Sequence, residues 1–243
     1  MGSHGDCCKV NRRKFLGAST AVASLAAFAT AGSVTEARAQ LTQERRDAMT
    51  PDKVISRMLA GNERFVAGER KPRDFLVEQE ATASSQFPAA VALSCIDSRA
   101  PIEVICDLGI GDTFNARVAG NISNDDILGS MEFACAVAGA KLVVVMGHTA
   151  CGAVRGAIDN VELGHLTGLL AQIRPAIGET DFDGDKTGSN PAYVDAVART
   201  NVLLTVKKIR EESSILRELE EKGEIKIVGS MYDLKTGQIT MLN

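Results

Sequence analysis

An α/β domain with a mainly parallel central sheet flanked by helices is the fold that this chain predicts, and three observations carry that prediction. Apolar runs of strand length recur between segments with helical punctuation. The run at residues 141–146 is apolar at every position after its lysine, as a strand covered on both faces must be. The stretches richest in chemically active side chains follow predicted strands directly, and ligand crevices in such sheets lie outside the carboxyl ends of the strands. With 243 residues, 45% of them hydrophobic, the chain can bury one sizeable core.

The first forty residues differ from the rest. A basic cluster, Arg12-Arg13-Lys14, precedes an Ala-rich apolar run over residues 15–31, shorter than the roughly 20 residues of a spanning helix. Ala37-Arg38-Ala39 then gives the small-x-small pattern of a cleavage site before Gln40. The segment Asn11-Arg12-Arg13-Lys14-Phe15-Leu16-Gly17 resembles the signal of the bacterial twin-arginine pathway, which exports folded proteins. Residues 1–39 are therefore expected to be a removed signal peptide, residues 40–243 a single domain, and the address periplasmic, with no permanent membrane span. An ordinary basic n-region or an uncleaved anchor is the alternative.

Beyond Gln40, Thr50 and Pro51 read as the N-cap and first residue of an amphipathic helical arm that ends at Gly68. Residues 89–94 form a short strand, 101–107 one or two helical turns closed by Gly109, and 113–118 a second strand. A buried helix is expected over 126–139, a central strand over 141–146, and a Gly- and Asp-rich surface loop over 179–190. A long helical pattern then runs from Pro191 to a C-cap at Gly223. The chain closes with a strand at 225–231, a Lys235-Thr236-Gly237 turn and a last strand through Leu242, an edge hairpin.

Composition narrows the partners. A formal charge of −4 leaves no basic excess for tracking phosphates, so nucleic acid is excluded as a natural partner. Aromatic residues make up 4% of the chain and Trp is absent, which argues against a stacking platform for bases or sugars. A small ligand remains.

Of six cysteines, Cys7 and Cys8 fall in the segment expected to be removed. Cys106 and Cys135 lie in helical patterns among apolar neighbours and read as packing residues rather than a disulfide. Cys95 and Cys151 lie in strand-end turns. In His148-Thr149-Ala150-Cys151 an imidazole and a thiol can meet one ion where a strand turns into a helix, and Gly147 and Gly152 permit tight turns and close backbone approach. A helix starting near Ala150 would set its positive end beside Cys151 and favour the thiolate. Cys95-Ile96-Asp97-Ser98-Arg99 offers a third ligand with two opposite charges on the same turn.

The ordered pair Cys-x-Asp-x-Arg and His-x-x-Cys, about fifty residues apart, strongly resembles the β-class carbonic anhydrases. The likeness extends through Gly111-Asp112-Thr113-Phe114-Asn115-Ala116-Arg117-Val118-Ala119-Gly120-Asn121 and Gly229-Ser230-Met231-Tyr232-Asp233, and covers nearly all of the chain after the signal. The resemblance implies one Zn2+ per subunit on Cys95, His148 and Cys151, with a fourth position filled by water or, in a closed form, by Asp97. It implies reversible hydration of CO2 to bicarbonate by a zinc-activated hydroxide. Asp97 and Arg99 are then catalytic, Asp97 staying ionised beside Arg99 and orienting the nucleophile. Two thiolates offset the charge of the ion, so activity should rise through mildly alkaline pH.

The resemblance also implies a homodimer or homotetramer, with the arm and the final hairpin as contacts. Some family members place a Gln shortly after the arginine to contact substrate. Here the residues are Ala100-Pro101-Ile102-Glu103, so the Gly152 N–H is expected to serve as donor instead. Ile96 stands where Ser is frequent, and the missing Trp makes regulation by bound bicarbonate doubtful. His165 is a proton shuttle by elimination or an ordinary exposed helix residue. Hydrolysis of carbonyl sulfide or carbon disulfide on the same zinc, and a non-catalytic zinc-binding role with Asp97 held on the metal, are the competing readings.

Overall fold

Five strands in the order β2-β1-β3-β4-β5 form the centre of the computed structural model, which describes residues 41–242. The expected signal at 1–39, with Cys7 and Cys8, lies outside the described residues. The strands are β1 (Ala90–Ser94), β2 (Thr113–Arg117), β3 (Leu142–His148), β4 (Lys226–Tyr232) and β5 (Ile239–Leu242). Pairings β1/β2, β1/β3 and β3/β4 are parallel, and β4/β5 is antiparallel. The mainly parallel sheet and the C-terminal edge hairpin are thus as expected.

Helices cover both faces of the sheet, and the alternation of side chains along the strands assigns each residue to one of them. Val91, Leu93, Val143, Val145 and Ile227 share a core with Val194, Val197, Val202 and Ile209. Ala90, Ala92, Leu142, Val144 and Met146 face the other way, onto Val54, Met58, Ile102 and Ile105. Every residue of β1 and β3 is buried, which explains the apolar runs at 90–93 and 142–146.

Before β1 come α1 (Gln43–Asp47), α2 (Pro51–Ala67) and α3 (Phe75–Thr82), of which only α2 has a counterpart in the sequence. The Thr50 hydroxyl caps α2 by accepting from Lys53 N–H at 3.3 Å, and Gly68 closes it at φ +72°. The arm packs on its own sheet through Val54 and Met58. Its Asn62 amide donates to the carbonyls of Ile105 (3.0 Å) and Gly237 (2.8 Å) and accepts from Ile239 N–H at 2.8 Å, tying the arm to the final hairpin.

Between β1 and β3 lie α4 (Ile102–Ile105) and α5 (Asp125–Glu132). Asp107, at φ +48°, turns the chain after α4 and is fully buried against Arg64, 2.7 Å away. The expected buried helix over 126–139 needs correction. α5 gives way at Phe133–Val137 to a wider π-helical turn, and this segment buries one face only, with Phe133 and Val137 exposed.

After β3 follow α6 (Gly152–Ile158), α7 (Gly164–Ala171), α8 (Arg174–Glu179), α9 (Pro191–Glu212) and α10 (Ser214–Glu221). The last two correct the single helix expected from Pro191 to Gly223. Ser213 is extended, its hydroxyl accepts from Leu216 N–H at 3.1 Å to start α10, and it donates to Glu132 at 2.6 Å. A serine that caps a new helix breaks the old one. Among the described residues no helix is long and apolar enough to cross a membrane.

Cys95, Cys106, Cys135 and Cys151 are free thiols. Cys106 and Cys135 belong to cores on opposite faces of the sheet, so they cannot pair, and burial pushes both thiols up to about 12. His165 lies exposed on α7.

Candidate metal centre

The parallel register brings the two motifs to the carboxyl ends of two adjacent central strands. Ser94 pairs with Met146, so Cys95 leaves β1 beside the end of β3, where His148 is the last strand residue and pairs with Tyr232. A turn then leads to Cys151, which precedes α6. All three side chains are buried, and one ligand atom from each lies within 4.8 Å of the others. Close approach requires glycine at 147, where a Cβ would sit 2.6 Å from Val202 and 2.8 Å from the Met231 sulfur. Gly152 has open space there, so packing does not demand glycine at that position.

The donor atoms are prepared for an ion. His148 Nδ1–H donates to the Thr149 carbonyl at 2.9 Å, which fixes the tautomer and leaves Nε2 as an acceptor. That Nε2 is buried with no hydrogen-bond partner among the described residues, a costly state for a polar atom unless a ligand meets it. Hydrogen bonding from Cys151, helped by the Gly120 N–H at 3.3 Å, outweighs burial and lowers the Cys95 thiol to about 4. The neighbouring Cys95 sulfur and burial push Cys151 up, against the amides of Val154 and Ala153 in the first turn of α6. A cation bound here would take both sulfurs as thiolates and so displace thiol protons. A buried set of two sulfurs and one imidazole nitrogen matches the soft, four-coordinate preference of zinc and leaves one position open.

Asp97 and Arg99 lie at the rim. Arg99 holds Asp97 in a fork, Nε to Oδ1 at 2.9 Å and an Nη to Oδ2 at 2.7 Å, while Arg99 N–H adds a third bond at 2.9 Å. This pairing keeps the carboxyl well below the usual carboxylate range despite partial burial. Asp97 Oδ2 is 3.8 Å from His148 Nε2, so the ionised oxygen borders the ion position.

Other residues hold this loop and the next in place, and the sequence reading assigned none of them a role. Arg117, at the end of β2, donates to the carbonyls of Cys95 (2.9 Å) and Asp97 (2.5 Å). Asn201 of α9 donates to the Gly120 carbonyl at 2.8 Å. Between His148 and Cys151 the chain passes through Ala150 at φ +53°, a left-handed conformation that costs a non-glycine residue about 1–3 kcal/mol. Ala150 N–H donates to Asp195 Oδ1 of α9 at 2.7 Å. Burial raises the Asp195 carboxyl, and the Ala150 bond works against that rise. On the other side Thr149 N–H donates to the Tyr232 carbonyl at 3.0 Å, and the Thr149 hydroxyl accepts from Leu234 N–H at 3.0 Å.

Residues 90–239 match the family model described as carbonic anhydrase. "Carbonic anhydrase 2" of Mycobacterium tuberculosis is 35% identical over 183 residues, covering 74% of this chain and 87% of the relative. The carbonic anhydrase of Mycolicibacterium smegmatis is 32% identical over 183 residues, with 74% and 88% covered. Among solved structures, a tetrameric β-carbonic anhydrase of Sordaria macrospora superposes with a TM-score of 0.60 at 25% identity, covering 69% of this chain and 90% of that one. A β-carbonic anhydrase of Aspergillus fumigatus gives 0.60 at 28% identity, with 78% and 90% covered.

Proposed function

The chain belongs to the β-class carbonic anhydrase family, and from that premise we propose that it hydrates carbon dioxide reversibly to bicarbonate and a proton, with Cys95, His148 and Cys151 as ligands of one zinc ion per subunit. The observation that carries the reading is the buried Nε2 of His148, without a hydrogen-bond partner among the described residues, beside the sulfurs of Cys95 and Cys151, with one ligand atom of each residue within 4.8 Å of the others. Zinc held there supplies the Lewis acidity that makes water ionise close to neutral pH.

The chain's own residues do the rest. Asp97, kept ionised by the Arg99 fork, offers Oδ2 as a hydrogen-bond acceptor that orients the attacking oxygen. Arg117 fixes the backbone that carries both Cys95 and Asp97, so ligand and acceptor move together. Gly152 opens α6, and first-turn amides lack partners inside their helix, so its N–H is the donor we assign to a substrate oxygen. With Asp97 engaged by Arg99, the arrangement supports the form whose fourth position is open to water, against a non-catalytic role.

Stopped-flow hydration of CO2 by the mature chain, with its metal content measured on the same sample, tests this. Rapid turnover with one zinc per subunit, rising through mildly alkaline pH, is expected. Zinc-loaded protein that is inert to CO2 yet releases sulfide from carbonyl sulfide or carbon disulfide would replace the substrate.

Export by the twin-arginine pathway to the periplasm, with removal of residues 1–39, completes the reading and rests on Arg12-Arg13 and Ala37-Arg38-Ala39. Lysine at both arginines is expected to retain the protein in the cytoplasm, and fractionation showing unchanged export would refute this. A homodimer or homotetramer fits the same family. Exposed Phe75, Leu76 and Val77 on α3 are apolar surface that a second copy can cover, and light scattering distinguishes the two states.

A further inference from the structure

We infer that Asp195 is a positioning residue of the metal centre: its carboxylate holds the left-handed turn at Ala150, and that turn aims His148 and Cys151 at one ion. The inference rests on the zinc reading above and deepens it. His148 is fixed by strand pairing with Tyr232, and Cys151 by its place immediately before α6. Only two residues join them, so the direction in which Cys151 leaves the strand depends on the backbone at Thr149 and Ala150.

Thr149 is held by the Tyr232 carbonyl at the end of β4 and by Leu234 N–H just beyond it. Ala150 sits at φ +53°, which an alanine abandons unless something restrains it. Its N–H meets Asp195 Oδ1 at 2.7 Å, a charge-assisted bond across 45 residues of sequence. Asp195 stands on α9 between buried Val194 and Val197, so the carboxylate is mounted on a helix anchored in the core. The restraint is therefore rigid, whereas a loop residue or a water would yield.

The geometry makes a specific genetic prediction. Glycine adopts positive φ without a steric penalty, so a glycine at 150 needs the clamp far less than alanine does. Asp195→Ala should lower zinc affinity about 10- to 100-fold, the usual effect of losing an outer-shell partner. Asp195→Asn keeps an acceptor oxygen and should stay within a few-fold of the parent. Adding Ala150→Gly to Asp195→Ala should restore most of the lost affinity.

The experiment is zinc competition against a chromogenic chelator, together with the thiolate-to-metal and d–d absorption of the cobalt-substituted protein, for the full mature chain and these three variants. Weakened zinc and an altered cobalt spectrum in Asp195→Ala, recovered in the double variant, support the inference. Parental affinity and spectrum in Asp195→Ala overturn it. If Asp195→Ala is insoluble the double variant decides: folded with parental zinc affinity supports the role, while weak zinc or renewed insolubility overturns it by making Asp195 a general element of stability. A parent chain that binds no stoichiometric zinc fails earlier and sinks the zinc reading itself, so the two failures are distinguishable.

Discussion

Replacing His148 with alanine is expected to abolish stoichiometric zinc and bring CO2 hydration down to the uncatalysed rate. The ring is buried, and among the described residues its Nε2 has no hydrogen-bond partner to keep it there for structural reasons. Without it two sulfurs remain, too few for a closed tetrahedral arrangement with one exchangeable position. The loss in affinity should exceed the roughly 10- to 100-fold caused by removing an outer-shell partner. Elemental analysis after dialysis against a weak chelator, followed by a stopped-flow assay, reads both effects. Full zinc occupancy in the variant would remove His148 from the ligand set.

Asp97→Ala is expected to do the opposite to metal and the same to rate. Zinc should stay at one per subunit, because the three donors are untouched, while hydration falls about 10²- to 10³-fold, the scale reported for removing one preorganised electrostatic partner of a transition state. The carboxylate is ionised through the Arg99 fork and lies 3.8 Å from the imidazole nitrogen that faces the ion. Loss of the side chain also releases Arg99, which is 57% exposed and can simply turn to solvent, so little stability should go with it. Thermal melting and metal analysis establish that the variant is intact. A rate equal to the parent's would assign the orienting role elsewhere.

Local sequence revealed the parts of this molecule that local physics controls. β1 and β3 are legible because strands buried on both faces are apolar up to their last residues, Ser94 and His148, and the last hairpin because Gly237 closes its turn at φ +77°. The break at Ser213 was hidden, since α9 and α10 share one period and a single serine that both ends and begins a helix looks like any polar residue. The π-helical turn after Glu132 likewise leaves no mark in composition.

The site divides in the same way. Cys95, His148 and Cys151 announce themselves by residue type, because few other side chains can hold a soft cation. Asp195 and Asn201 look like ordinary polar residues of a long helix, and their partners at Ala150 and Gly120 are 45 and 81 residues away. Arg117 stood within the stretch that carried the family likeness, but its bonds to the Cys95 and Asp97 carbonyls exist only once β2 lies beside β1.

The register of β1 on β3 has one more consequence. Neighbouring strands are held about 4.8 Å apart by main-chain hydrogen bonds, and the first and second cysteine-bearing turns inherit that spacing whatever occupies the space between them. The scaffold is thus a socket, assembled by the sheet in advance, and the cation enters as a guest. Stripping it should lower the melting temperature only by the linkage between binding and folding, growing with the logarithm of free metal concentration, and leave the tertiary structure standing.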